Sequence, residues 1–307
     1  MTVARTDGSS QDTLRSIEVL EFADGVVLST NLGSFEINAG HAGAWFNPAT
    51  SGQGQLIDID PASQFMFLAW FAYTDSNSGN PNEQHWLTAQ GTFSDTTAVL
   101  PVYQTLGGKF DDPQTVSSSA IGTIELSFDD CANGLASYTI DTWGVDGSFP
   151  LSRVIPGSEN VCSGLAVADY SGLVENDGWD GAWYDPDTAG QGFLIDAHPG
   201  PDADDFIFIA WFTYGDANES GQRWLTAQGP MNGTQADIAV YETMGGSFDD
   251  QTAVSSEQIG TMNIVFNSCN SASLTYELTS ESLSGSIDIE RVIPGTEALC
   301  EELADLK

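Results

Sequence analysis

The chain has 307 residues, of which 44 are acidic and 7 basic, giving a formal net charge of −37. That length is enough for two ordinary domains, each burying its own core. So acidic a surface repels phosphate backbones and anionic lipid, which argues against nucleic-acid partners. No apolar run approaches the roughly 18 residues of a membrane helix, so a soluble chain without a membrane span is expected.

Residues 1–40 stand apart from the rest of the chain. The opening MTVARTDGSS lacks the charged and apolar regions of a secretory signal peptide, so the chain reads as part of a larger parent or as one whose export signal lies elsewhere. The segment SSQDTLRSIEVLEFADGVV (9–27) carries Asp12, Leu14, Ile17, Glu18, Phe22, Asp24 and Gly25. In that pattern it resembles the end of the calcium-binding β-roll of repeats-in-toxin (RTX) proteins. The resemblance implies an extracellular protein of a Gram-negative bacterium, exported by a C-terminal signal. The glycine-rich nonapeptides that ligate calcium in that family do not occur here, so no cofactor is specified and calcium is carried over only as a candidate cation.

From residue 41 the sequence repeats with a shift of 138, widened to 141 over one stretch by a three-residue insertion in the second copy. AWFNPATSGQGQLIDIDP (44–61) is answered by AWYDPDTAGQGFLIDAHP (182–199), and LAWFAYTD (68–75) by IAWFTYGD (209–216). WLTAQG recurs at 86 and 224, VYQTLGGKFDD (102–112) as VYETMGGSFDD (240–250), IGT at 121 and 259, and RVIPG at 153 and 291. Matching over the whole of both halves marks a domain duplication: one copy over 41–162, a linker over 163–180 and a second copy over 181–307. In the second copy the strand-like runs are GAWYD, GQGFLIDA, DFIFIAWFTYG, QRWLTAQG, ADIAVYET, IGTMNIVF, ASLTYEL and GSIDIERV. Period-two alternation is clear where Met262, Ile264 and Phe266 share a face, and again for Ala272, Leu274, Tyr276 and Leu278. The expected class is all-β. Two tandem eight-stranded antiparallel meander barrels are favoured, because closure removes exposed edges, with β-sandwiches as the alternative. The repeat also resembles tandem modules appended to secreted proteins of gammaproteobacteria, and the first-strand Trp followed by a glycine-rich turn resembles avidin-like barrels in architecture only.

The cysteines repeat too, Cys131 and Cys162 corresponding to Cys269 and Cys300. Pairing within each copy is the simplest of the three connectivities and implies an oxidising compartment; buried free thiols are the alternative.

Candidate chemistry is sparse. Of the three histidines, at 41, 85 and 198, none belongs to the repeated core: His85 is answered by Arg223, and His198 stands where the first copy has Asp60. No serine-hydrolase elbow, zinc-protease helix or phosphate loop occurs. Asp58 and Asp196 are the carboxylates a hydrolase acting on carbohydrate or ester would use. The turn pairs Asp111–Asp112 and Asp249–Asp250 read first as turn formers and second as weak cation ligands. Arg153 and Arg291, which end the last strand of each copy, are expected to pair structurally with an acid such as Asp58 or Asp196. The most distinctive repeated set is aromatic and amide: Trp45, Gln53, Trp70, Trp86, Gln90 and Tyr103, answered by Trp183, Gln191, Trp211, Trp224, Gln228 and Tyr241. Such residues suit a barrel mouth that binds a small molecule or glycan, unless the tryptophans simply fill two cores. The leading expectation is a non-enzymatic extracellular binding or adhesion module. The alternatives are a spacer or assembly subunit that associates with itself or with a parent chain, and the carboxylate-dependent hydrolase.

Overall fold

The computed structural model describes residues 35–50, 52–74, 83–170, 172–188, 190–199, 205–215 and 221–305, together with the backbone of four short N-terminal strands. Of these, β1 (Thr2–Ala4) pairs with β2 (Gln11–Thr13), and β3 (Leu20–Glu21) with β4 (Val27–Leu28). The rest of the RTX-like segment lies outside the described residues.

The chain is all-β, built as two closed eight-stranded antiparallel barrels in sequence. The first runs β5 (Gly43–Phe46), β6 (Gly54–Asp60), β7 (Phe65–Tyr73), β8 (Gln84–Ser94), β9 (Thr97–Leu106), β10 (Ser117–Phe128), β11 (Asn133–Ile140) and β12 (Val145–Arg153). The second runs β13 (Gly181–Tyr184), β14 (Gly192–Pro199), β15 (Asp205–Tyr214), β16 (Gln222–Pro230), β17 (Gln235–Met244), β18 (Ser255–Ser268), β19 (Ser271–Leu278) and β20 (Leu283–Arg291). In each, every strand pairs with its sequence neighbour, and the last closes on the first through Arg153 opposite Trp45 and Arg291 opposite Trp183. Tight turns allow this meander: β8 and β9 are joined by Asp95-Thr96, where Asp95 takes a left-handed φ of 52° that Asp tolerates better than most residues.

The repeated IGT string has a local reason. The ladder from β9 to β10 shifts register between Ala120 and Gly122, and the ladder from β17 to β18 shifts at the equivalent place. A Cβ on Gly122 or Gly260 would collide with the carbonyl of Thr139 or Glu277 on the next strand. Glycine there lets a bulged strand bend close to its neighbour, as barrel closure requires.

Both interiors are filled by side chains. Ile57, Leu68, Leu87, Leu100, Ile124 and Leu151 lie in one core, and Ile195, Ile209, Leu225, Val240, Ile264 and Ile289 in the other. Below each barrel sits a short helix, α1 (Glu159–Ala166) or α2 (Ala298–Asp305), tied to the β10–β11 or β18–β19 turn by the disulfides Cys131–Cys162 and Cys269–Cys300. Closing a loop of that length contributes about 3–4 kcal/mol per bridge.

Two kinds of strand are present. In β11 buried and exposed positions alternate, with Ala136, Tyr138 and Ile140 inward. By contrast β6 is buried along its whole length and β7 almost so. Strands that are apolar on both faces must be covered on both faces. The outer cover is the other barrel: Ala44, Leu56, Ala69, Phe71, Tyr73 and Trp86 form one cluster with Ala182, Leu194, Ala210, Phe212, Tyr214 and Trp224. Among the described residues no helix is long and apolar enough to cross a membrane.

Candidate functional site: the joint between the barrels

The duplicated strings meet at this joint, each clasping the other copy. Trp86 Nε1 donates to the Thr213 carbonyl at 2.8 Å, and Trp224 Nε1 to that of Ala72 at 3.0 Å. Tyr73 donates through its hydroxyl to Thr243 O, and Tyr214 to Thr105 O. Gln84 Nε2 reaches Trp224 O and Thr243 O, while Gln222 Nε2 reaches Trp86 O and Thr105 O. A reciprocal pattern of this kind, residue i on j and j on i, is that of an isologous dimer interface drawn into one chain.

The GGxFDD loops complete it by plugging the opposite barrel. Phe248 enters the mouth of the first barrel, its ring centroid 5.0 Å from Trp70 and 5.5 Å from Tyr138. Phe110 enters the second in the same way, 5.1 Å from Trp211 and 5.8 Å from Tyr276. Gln53 donates to Ser247 O at 2.8 Å and accepts from Asp249 N, while Gln191 donates to Lys109 O at 2.9 Å and accepts from Asp111 N. Only glycine fits at Gly108 and Gly246, because a Cβ would stand inside the ring of Tyr214 or Tyr73 from the other barrel.

The expected ligand set is therefore brought together only in part, and not at an open barrel mouth. Gln53 and Trp70, with Gln191 and Trp211, do line the mouths, but the mouths hold Phe248 and Phe110. Trp45 and Trp183 are fully buried; the guanidinium of Arg153 lies 4.0 Å over one ring and that of Arg291 4.4 Å over the other. Trp86 and Trp224 are in the joint, Gln90 and Gln228 are exposed, and Tyr103 and Tyr241 are half-buried on β9 and β17. Gln84, Gln222, Tyr73, Tyr214, Phe110 and Phe248 lie outside the expected set, although each recurs at the equivalent position of the other copy.

The turn acids sit as turn formers, whereas the arginines take other partners than the expected carboxylates. Asp111 and Asp249 take left-handed φ of 42° and 46° as turn formers and accept from Tyr276 and Tyr138. Asp112 pairs with Lys109. Among the described residues neither turn pair, the second being Asp249–Asp250, gathers a third metal-ligating side chain. Arg153 donates to the carbonyls of Cys131, Ala42 and Gly40 rather than to a carboxylate, and Arg291 to those of Cys269, Asp180 and Gly178. The reason is position: each guanidinium ends beneath its own barrel, where the chain entering the first strand turns unpaired carbonyls inward. Burial pulls the Arg153 pKa down to about 10, with Asp196 and Asp180 opposing. His41, buried beside it, is pushed down to about 3 by burial and by Arg153, and stays neutral.

Asp58 and Asp196 are 1% and 0% exposed, and each holds a backbone amide of the other barrel, Ala182 N at 2.9 Å and Ala44 N at 2.7 Å. A hydrolase needs its acids beside the substrate; these two are sealed into the joint. Burial raises the Asp58 pKa to about 6 against the pull of Arg291 and the Ala182 amide. A carboxyl whose folded pKa lies above its unfolded value stabilises the fold below that unfolded value, and loses this contribution as pH rises through the folded pKa. Asp58 thus favours folding by roughly 2 kcal/mol at pH 4 relative to pH 7. Chemical denaturation of wild type and Asp58→Asn across that range is expected to show this part of the pH dependence vanish in the variant; an identical profile in both would contradict the assignment.

The joint contains an open cleft of about 180 Å³. Phe67, Trp86, Leu194 and Phe212 form its walls, and Thr88 supplies a hydroxyl. It opens on one side because the copies differ there. Over Gly54 the Phe71 ring packs so closely that a Cβ would lie 2.7 Å from Cζ, whereas Gly192 meets only backbone and Tyr184 Cβ.

Compared with protein-family models, curated proteins and solved structures, the chain matches none.

Proposed function

We propose that the protein is a non-catalytic extracellular binding module: a rigid pair of barrels that takes a small neutral molecule with an apolar face in the cleft between them. The cleft itself carries this reading, as a concave space in the joint walled by the rings of Phe67, Trp86 and Phe212 with the Thr88 hydroxyl at hand, an apolar lining with a polar group as in ligand pockets. The net charge of −37 disfavours an anionic ligand. Two disulfides and the acidic surface suit an oxidising, extracellular setting. The barrel interiors are not offered as ligand sites, since their own side chains and the two phenylalanine plugs occupy them.

Nile red, a neutral apolar dye, tests the proposal. Thr88 is half-buried at the cleft wall, so Thr88→Trp fills the space without removing an apolar contact. Wild type is expected to enhance dye fluorescence saturably and quench tryptophan emission, with at least about a tenfold loss of affinity in Thr88→Trp. Equal binding by both proteins, or no saturable binding by wild type, would count against the cleft.

A further inference from the structure

The second copy departs from the repeat beneath β14. Asp177, Asp180 and His198 stand where the first copy has Ala39, Ala42 and Asp60, while Asp196 matches Asp58. The fold brings all four together beneath β14, with the side chains of His198 and Asp177 2% exposed, Asp180 6% and Asp196 0%.

The two carboxylates facing the imidazole are each held by one oxygen. Asp180 Oδ1 accepts from Ala197 N at 2.6 Å, and Asp196 Oδ2 from Ala44 N at 2.7 Å. Their other oxygens, Asp180 Oδ2 and Asp196 Oδ1, lie 3.0 and 2.6 Å from His198 Nε2. Yet Nε2 and Asp196 Oδ1 are both buried and neither makes a well-aligned hydrogen bond among the described residues. Buried polar atoms left in that state call for an explanation. Across the ring, Nδ1 lies 3.3 Å from Asp177 Oδ1, and the other oxygen of Asp177 accepts from Val174 N at 2.7 Å.

We propose that Asp180 Oδ2, Asp196 Oδ1 and His198 Nε2 bind one divalent d-block cation of the zinc type, with Asp177 positioning the imidazole. Three donor atoms converge within 4.8 Å of one another. Donors about 2.0–2.1 Å from a shared cation stand about 2.9–3.4 Å apart, so the Asp180 contact already fits and the Asp196 contact opens by a few tenths of an ångström. A carboxylate on the far nitrogen of a ligating histidine is the usual way to fix its tautomer. One imidazole with two carboxylates favours a d-block ion over calcium, which takes six to eight oxygens at longer range. Charge is compatible: with a neutral imidazole the three carboxylates outnumber the two nearby guanidinium groups, of Arg153 and Arg291, so the cluster stays negative and accommodates a dication. Because Asp196 also holds Ala44 N of the first barrel, the ion would lock the joint as well as the second barrel.

Zinc(II) is the probe, added to chelator-treated full-length protein in a large excess of calcium and magnesium that occupies the acidic surface. Calorimetric titration is expected to show one zinc per chain, and Asp180→Asn, which keeps the oxygen that holds Ala197 N, is expected to weaken binding at least about a hundredfold. With only three histidines in the chain, imidazole ¹⁵N spectra of wild type report the site without any variant: the His198 signals are expected to move with zinc while those of His41 and His85 stay. Unmoved His198 signals, absence of a tight equivalent, or wild-type affinity in a folded Asp180→Asn protein would each overturn the proposal.

Discussion

Replacing Phe248 with alanine is expected to destabilise the whole chain by about 3–4 kcal/mol, although residue 248 lies outside the barrel it plugs. The ring is 8% exposed and packs on Trp70, Tyr138 and Trp143 of the first barrel. Its own loop cannot follow the lost side chain inward, because it is pinned on both sides: Gln53 holds Ser247 O and Asp249 N, and Phe248 N donates to Thr74 O. A void therefore remains at the mouth, where water fills part of it and keeps the loss below that of a sealed core. Denaturant unfolding measures the effect. A loss below about 1 kcal/mol, the level of an ordinary surface substitution, would show that the plug does not seat.

Arg153→Ala is expected to cost about as much or more, roughly 3–5 kcal/mol. Three buried carbonyls, of Cys131, Ala42 and Gly40, lose their donors together, and Trp45 loses the cation over its face. Arg153→Lys is expected to recover only a part, since an ammonium on a flexible stem cannot present a planar fork of donors to three fixed acceptors. Equal denaturation midpoints for wild type and Arg153→Lys would contradict this reading of the guanidinium.

Much of the fold is legible in the sequence. Strand-like runs such as DFIFIAWFTYG and ASLTYEL lie almost wholly within β15 and β19, and both disulfides follow the repeat, because hairpin turns and period-two alternation are local signals. The joint leaves a mark too. In LAWFAY, Ala69, Phe71 and Tyr73 are as apolar as the inward Leu68 and Trp70, and only a second covering layer explains that. Repeated tryptophans, however, suggest a pocket as readily as an interface, which hides the mark. The plugs are not legible: Phe110 and Phe248 sit in strings that read as polar turns, and only the fold brings Phe248 to Trp70. His198 misleads in the opposite direction. Its absence from the repeat speaks against a shared role in both copies, yet that departure is what marks the acidic cluster around it as a site of the second barrel alone.

The duplicated strings thus make two barrels into one cooperative unit. Differential scanning calorimetry of the intact oxidised chain, beside Phe248→Ala, tests this most directly. One transition is expected in each protein, with calorimetric and van't Hoff enthalpies equal and the whole transition shifted down by the substitution. Two transitions, with Phe248→Ala moving only one of them, would show that the barrels fold independently and that the joint is a contact rather than a core.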